Sequence, residues 1–249
     1  MRVVWSLEKV VGKDWEKQVT LLTESVRRWN CVFPKDHKVL YLDEFSRERL
    51  ETLGIIKTFD EVDNLCYSKN SSINPKVFWA SAKIRAMQEQ QGPYILVDND
   101  FFVKEDFVRY LDSKKVCFSF LEITRGLYPS HVDPKVRHLQ LPFRLQNHAA
   151  NTSFIYIPDT PSFNSVFTET SLEVMEALSR CEGVGSIYML FAEQLLFYSI
   201  LKHMRLDFQC LHRNMFNSFR NCWMEEEVSQ GLFNLKSSES YFLHLGPGK

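Results

Sequence analysis

Residues 92–103 read Gly-Pro-Tyr-Ile-Leu-Val-Asp-Asn-Asp-Phe-Phe-Val. The Gly-Pro break and the four apolar residues that follow it are typical of a buried strand. This strand ends in Asp98 and Asp100. Their side chains lie on the same side of an extended chain, so both carboxylates can reach one cation. Open α/β sheets bind ligands at the carboxyl ends of their strands, and the stretch therefore predicts an acidic ligand site at such an edge.

The segments before this stretch alternate between strand and helix patterns. Strands are predicted at residues 3–7 and 38–43, and a third short strand with a turn at 55–62. The main helices are predicted at 14–30 and 75–91, with a short helix that ends at Gly54. This alternation predicts an α/β fold with a mostly parallel central sheet flanked by helices.

The second half of the chain continues the pattern less regularly. The expected order is a helix at 104–112, a strand at 116–121, an irregular loop at 125–150, a strand at 151–157, helices at 162–181 and 186–202, and an irregular remainder. A long loop inside a compact domain is usually functional, so we expect residues 125–150 to contribute to a binding site.

Composition excludes several classes of protein. The 30 basic and 31 acidic residues nearly balance, which argues against electrostatic binding of nucleic acid. No apolar run is long enough for a membrane span, and the first residues lack a signal-peptide profile. The six cysteines show no Cys-x-x-Cys spacing, which is typical of reduced thiols. These features together predict a cytoplasmic protein.

A second candidate site lies at residues 244–249, which read His-Leu-Gly-Pro-Gly-Lys. The imidazole of His244 can complete an oxygen-rich metal shell, glycines let the backbone approach a phosphate, and Lys249 can neutralise phosphate charge. A frayed terminal tail is the alternative. Carboxylates suit Mg²⁺ or Mn²⁺, which commonly take their other ligands from phosphate, so the matching substrate is a diphosphate.

The Asp-x-Asp at 98–100 and the His-x-Gly-x-x-Lys at 244–249 together resemble the GT-A-fold glycosyltransferases, most closely the group of glycogenin and the bacterial galactosyl- and glucosyltransferases. Three further landmarks of that group follow in the same order, namely Lys83-Ile84, Asn151-Thr152-Ser153 and Glu193-Gln194. The resemblance covers nearly the whole chain and implies a GT-A-like, Rossmann-type fold.

The resemblance also implies a ligand set for a divalent cation. Asp98, Asp100 and His244 would hold Mn²⁺ or Mg²⁺, and Asp98 would also contact the ribose of the donor. Gly246 and Lys249 would contact the diphosphate.

Other positions would bind the nucleotide-sugar. The resemblance places Val4 and Trp5 at the nucleotide base, although a core position for Trp5 fits the sequence equally well. Asn99 lies between the two acids and belongs to the same donor site. Lys83 would reach the donor phosphate or sugar, and a solvated helix lysine is its alternative.

Asn151, Glu193 and Gln194 would face the sugar. In the resembling group the glutamine lies near the anomeric carbon and the configuration is retained. An inverting enzyme would need a carboxylate as general base, and Glu193 is then the candidate. A polar helix edge is the alternative for the Glu193-Gln194 pair. The histidines at 131, 138 and 148 lack zinc-site spacing and fit an acceptor loop or plain surface.

The function implied is a metal-dependent hexosyltransferase that uses a UDP-sugar as donor. The acceptor would be a saccharide or lipid-linked saccharide of bacterial surface-polysaccharide synthesis, the latter with peripheral membrane contact. We expect one domain over residues 1–249, with a nucleotide-sugar-binding half at 1–121 and an acceptor-binding half at 122–249. A sugar-phosphate nucleotidyltransferase and a non-catalytic sugar- or nucleotide-binding module remain as alternatives.

Overall fold

A computed structural model describes residues 1–9, 14–65, 72–124, 127–217, 220, 222–227, 231–233 and 242–244. The strands in these ranges are β1 (Arg2–Leu7), β2 (His37–Leu42), β3 (Glu61–Asn64), β4 (Tyr94–Val97), β5 (Phe101–Val103), β6 (Val116–Ile123), β7 (His148–Ile157), β8 (Phe208–His212), β9 (Asn214–Asn217), β10 (Cys222–Glu227), β11 (Gly231–Phe233) and β12 (Phe242–His244). The helices are α1 (Trp15–Val32), α2 (Glu44–Thr52), α3 (Ser81–Gln88), α4 (Pro134–Arg137), α5 (Pro161–Ser179), α6 (Ile187–Leu190) and α7 (Leu196–His203). A π-helical segment, Phe191–Leu195, joins α6 to α7.

One mostly parallel sheet organises the chain. Its strand order is β10-β9-β6-β7-β4-β1-β2-β3, and β8 joins β6 to β11. Strands β1, β2, β3 and β4 run parallel to their neighbours in that half, whereas β7 runs antiparallel to both β4 and β6. The predicted α/β class with a mostly parallel sheet flanked by helices is confirmed. Because β7 runs antiparallel to β4, the middle of β7 lies beside the carboxyl end of β4.

The alternation of side chains along β1 divides the core between the two faces of the sheet. Val3, Trp5 and Leu7 pack with the buried stripe of α1 on one face, while Val4 packs with α3, α5 and α7 on the other. The sequence places Trp15, Val19, Leu22, Val26 and Trp29 at helical spacing on one face of α1. The last four of these are buried and Trp15 is partly buried. Asp14 caps this helix by accepting the Lys17 amide hydrogen at 3.1 Å.

Several predicted boundaries are wrong. The turn and short strand expected at 55–62 form as a 3₁₀ turn at Ile55–Thr58 followed by β3, which extends to Asn64. Only the 3₁₀ turn Val108–Tyr110 forms in the expected helix at 104–112. The helix expected from residue 75 begins at Ser81, because Asn74 captures the Lys76 amide with its side chain and forms a turn.

The C-terminal part is also more regular than expected. Residues 208–217 form β8 and β9 rather than irregular chain, since the exposed edge of β6 offers backbone partners to both strands. The expected loop at 125–150 contains the short helix α4, capped by Asp133, and it ends where β7 begins at His148. Within the described ranges no helix has the length and apolar character needed to cross a bilayer.

Candidate active site

The acidic turn lies at the carboxyl end of β4, as the sequence predicts. The Asp98 amide donates to the Ser153 carbonyl of β7 at 2.9 Å, and the Phe101 amide then donates to the Asp98 carbonyl at 3.0 Å. This tight turn holds Asp98, Asn99 and Asp100 partly exposed at the edge of the sheet. Open α/β sheets offer a ligand crevice at this edge.

The backbone also brings the C-terminal histidine to the acidic turn. Strand β12 pairs antiparallel with β5, and His244 lies opposite Phe101, the residue that follows Asp100. This pairing places the backbone of His244 beside the strand that directly follows the acidic turn. Gly246 and Lys249 lie outside the described residues.

Asn99 links the acidic turn to the end of β1. The side-chain amide nitrogen of Asn99, Nδ2, donates to the Ser6 carbonyl at 3.2 Å. Its Oδ1 is buried and accepts no hydrogen bond from the described residues. A buried acceptor without a partner costs about 1–3 kcal/mol, so this oxygen is suited to accept a donor group from a ligand.

Lys83 is the centre of the site. Its Nζ lies 2.7 Å from Asp98 Oδ1 and 2.7 Å from Glu193 Oε1, and it donates to the Thr152 carbonyl at 2.6 Å. The side chain keeps only 7% of its surface exposed. The solvated helix lysine considered from sequence is therefore wrong. One ammonium instead joins residues that are distant in sequence, from the turn after β4, from β7 and from the π-helical segment.

Burial alone would lower the pKa of Lys83. The negative charges of Asp98 and Glu193 and their hydrogen bonds outweigh that effect, so the pKa is raised above its ordinary value. Lys83 is therefore a stable cation at neutral pH. It can neutralise anionic groups but does not act as a base there.

The π-helical segment explains how two adjacent residues can both reach the interior. The wider turn of a π-helix shifts the side-chain register within an otherwise α-helical run, and such segments occur frequently at functional sites. Glu193 binds Lys83 and also accepts the Thr152 hydroxyl at 2.6 Å, whereas Gln194 contacts the Tyr128 hydroxyl at 2.6 Å. Both side chains are buried, so the polar helix edge considered from sequence is also wrong.

A second buried network adjoins the first and was not predicted. The Tyr128 hydroxyl lies 2.9 Å from Glu122 Oε2 and 2.6 Å from Gln194 Oε1. Asn151 donates from Nδ2 to Glu122 Oε1 at 2.8 Å and accepts the Ser153 amide hydrogen on Oδ1 at 3.2 Å. The available sequence signal was a carboxylate at the end of the apolar run of β6, because buried acids in strands are rare without a partner.

Other predicted residues lie elsewhere. Val4 and Trp5 are completely buried, and the Trp5 indole donates to the Ser25 hydroxyl at 3.1 Å. The Trp5 side chain thus takes the core position that the sequence left open. His131 and His138 are exposed, and the His148 ring lies 6.5 Å from that of Tyr198.

The donor groups at the acidic turn suit a hard divalent cation. Asp98 and Asp100 carry carboxylate oxygens, which are ligands that suit Mn²⁺ or Mg²⁺, and the register of β12 places the backbone of His244 at the same edge. The part of the chain that the structure describes holds no cluster of three acidic, histidine or cysteine side chains close enough to bind a metal. Among the described side chains, those at the acidic turn supply two carboxylates, Asp98 and Asp100.

A groove of about 410 Å³ lies at the opposite end of β4. Its buried polar groups bind one another: Tyr94 donates to Asn164 Oδ1 at 2.7 Å, and Asn164 Nδ2 donates to the Met87 carbonyl at 2.8 Å. Because these polar groups already bind one another, the charged cluster around Lys83 is the better candidate for a catalytic site.

Comparison with known proteins gives a family match and distant structural matches. The model of a family described as "Family of unknown function (DUF6734)" matches residues 60–248. No curated protein is significantly similar to the chain.

Three of the similar solved structures are glycosyltransferases. Galactosyltransferase LgtC, solved with donor and acceptor sugar analogues, is 8% identical over 84% of this chain and 73% of its own, with a TM-score of 0.42. Mouse xyloside xylosyltransferase 1 is 14% identical over 85% of this chain and 86% of its own, with a TM-score of 0.42. Glycosyltransferase GlyE of Streptococcus pneumoniae TIGR4 is 14% identical over 78% of this chain and 43% of its own, with a TM-score of 0.42.

Proposed function

The chain belongs to the DUF6734 family, and we propose that it is a metal-dependent glycosyltransferase that transfers a hexose from a UDP-sugar. The acceptor proposed is a saccharide or a lipid-linked saccharide, in the synthesis of a bacterial surface polysaccharide. The proposal rests on the sequence resemblance to GT-A enzymes and on the geometry around Lys83.

The Lys83 bridge is the observation that carries the proposal. The resemblance selects Lys83, Asp98 and Glu193 from three separate parts of the sequence, and a single ammonium lies 2.7 Å from a carboxylate oxygen of each acid. Placing these three residues together required no assumption about function. A shared site is what a nucleotide-sugar enzyme needs, because the acids that anchor the diphosphate must adjoin the residues that face the sugar.

Asp98, Asp100 and His244 would hold the cation. When bound, a divalent cation supplies charge neutralisation for the donor diphosphate and Lewis-acid stabilisation of the departing nucleoside diphosphate. Gly246 and Lys249 would contact the same phosphates from the C-terminal segment. Asn99 Oδ1, the unpaired buried acceptor, would take a hydrogen bond from the nucleoside.

The remaining residues would orient the sugar. Glu193 holds the Lys83 ammonium at a fixed position, from which this cation can contact the donor sugar or phosphate once substrate enters. Gln194 and Asn151 would face the sugar ring. Because the Oε1 of Glu193 already accepts two hydrogen bonds, we favour a retaining reaction, in which Glu193 need not remove a proton.

Calorimetric titration with UDP, with and without Mn²⁺, tests the proposal. The wild type should bind UDP only with Mn²⁺, and Asp100→Ala should abolish that binding because it removes a metal ligand. Asp159→Ala is the matched control, since this exposed acid lies at the other end of the sheet and should leave binding unchanged.

Metal-independent binding of UDP, or no binding to the wild type, would refute the metal-dependent donor site. If UDP binds with Mn²⁺, release of UDP from a panel of UDP-hexoses then identifies the donor. Binding without any transfer or hydrolysis would contradict the enzymatic part of the proposal.

A further inference from the structure

The Tyr128 hydroxyl lies between two oxygen atoms. It is 2.9 Å from Glu122 Oε2 and 2.6 Å from Gln194 Oε1, and all three residues are more than nine-tenths buried. A phenol has a single proton, so it can donate to only one of these neighbours. The other contact needs a proton from the neighbouring side chain.

The Glu122 carboxylate is the better acceptor for the Tyr128 proton. A hydrogen bond to an ionised carboxylate is about twice as strong as one to a neutral amide. Burial and the adjacent charge of Glu122 raise the pKa of Tyr128, so the phenol keeps its proton and remains a donor at neutral pH. Glu122 also accepts Asn151 Nδ2 on its other oxygen, a donor set that suits a carboxylate ion.

Gln194 must then supply the second proton. A carboxamide exchanges its oxygen and nitrogen positions by a rotation of 180°, and the hydrogen-bond network decides which orientation holds. With the Tyr128 proton on Glu122, the favourable orientation turns Gln194 Nε2 toward the phenol oxygen. The alternative needs a proton on a buried carboxyl group, whereas the rotation needs none.

This orientation determines which end of Gln194 is presented to a ligand. The described residues make no hydrogen bond to the Gln194 side chain other than that of Tyr128, and Gln194 keeps 8% of its surface exposed. The end of the carboxamide away from Tyr128 is therefore the end that a substrate can reach. Glu193, the preceding residue, contacts Lys83 and so ties this segment to the acidic turn.

We propose that Tyr128 and Glu122 form a positioning pair that turns the carbonyl oxygen of Gln194 toward the substrate side, as an acceptor for a sugar hydroxyl. The proposal rests on the proposed function for its ligand, a saccharide, but the orientation itself does not depend on turnover. Both residues act through Gln194 and are positioning residues.

Hydrogen exchange of the glutamine side-chain amides tests the orientation directly. NMR on protein labelled with ¹⁵N-glutamine, with Gln194→Met for assignment, measures exchange of the Gln194 NH₂ protons. In the wild type they should exchange at least about tenfold more slowly than those of exposed Gln88, because the proposed orientation buries and bonds them. Tyr128→Phe should remove most of that protection.

Tyr188→Phe is the matched control. It deletes another phenol that donates to a carboxylate, Asp133 at 2.7 Å, and should leave Gln194 exchange unchanged. Wild-type Gln194 protons that exchange as fast as those of Gln88 would overturn the proposal, even if Tyr128→Phe failed to fold. Because no substrate is added, this result is independent of the UDP titration.

A kinetic readout separates positioning from simple stabilisation. In an active enzyme, Tyr128→Phe should lower kcat about tenfold while the KM for the donor changes less than about twofold. Glu122→Gln should restore part of kcat relative to Glu122→Ala, since its amide oxygen can still accept the Tyr128 proton. Equal losses in the two Glu122 variants would contradict the role of the hydrogen bond.

Discussion

Replacement of Lys83 by methionine removes the ammonium group that contacts both Asp98 and Glu193. Methionine keeps the length and apolar stem of the side chain. Glu193, with 7% of its side chain exposed, then remains as a buried carboxylate without its cation. The variant therefore measures what the bridge contributes to the folded state.

The expected cost follows from the burial of each partner. Removing one partner of a buried ion pair costs about 3–5 kcal/mol. Asp98 keeps 33% of its side chain exposed, so solvent screens its share, and we take the lower end, about 3 kcal/mol. For a chain of this size, that loss lowers the melting temperature by about 6–12 °C.

Thermal and urea unfolding followed by circular dichroism should compare Lys83→Met, Glu193→Gln and the double variant. The double variant removes the unpaired charge together with the cation, so it should lose at least about 1 kcal/mol less than the sum of the single losses. Lys17→Met, at an exposed position of α1, is the control and should stay within about 0.5 kcal/mol of wild type. A Lys83→Met variant as stable as this control, or strictly additive losses, would refute the buried bridge.

Three further measurements probe other parts of the fold. The pKa of Glu61 is lowered to about 2, mainly by hydrogen bonds from Arg2. This pair therefore stabilises the native state above pH 4.5 and loses its effect as the pH falls toward 2. The free energies of unfolding of Glu61→Gln and wild type, measured in urea, should become equal over that range. Trp5→Phe should cost about 2 kcal/mol in urea unfolding, because it leaves a cavity and removes the hydrogen bond that the Trp5 indole donates to the Ser25 hydroxyl. Calorimetry should nevertheless find UDP affinity within about twofold, and a larger loss would return Trp5 to the nucleotide site. Gly54→Ala should cost about 1 kcal/mol in urea unfolding, since Gly54 has a φ of 71° and no atom within 4 Å of the added methyl, and no loss would contradict the backbone strain.

Local patterns in the sequence were sufficient for much of the first half of the fold. The apolar runs of β1, β2 and β4 and the regular stripe of α1 predicted their elements to within a residue or two. Each of these signals depends on side-chain periodicity within one segment, which the chain carries whatever surrounds it. The acidic end of β4 belongs to the same class of signal, because a carboxylate after a buried strand must lie at the edge of the sheet.

Patterns within one segment did not predict which distant segments of the chain pair with each other. Strands β8 and β9 depend on a free edge of β6, and the register of His244 opposite Phe101 depends on how the C-terminal segment folds back. Strand formation depends largely on packing against neighbours, so short segments of mixed polarity do not reveal their partners in sequence.

The candidate site divides in the same way. The identities of Lys83, Asp98, Glu193 and Gln194 as candidates came from motifs and their order along the chain. Their contacts came only from the tertiary structure: a buried ammonium shared by two acids, and a π-helical segment that directs Glu193 and Gln194 into adjacent networks. Tyr128 had no motif to mark it, because its role depends on a neighbour 66 residues away. The sequence determines which ionisable and polar side chains are present. Their burial and their contacts, which set their pKa values and hydrogen bonds, exist only once the chain has folded.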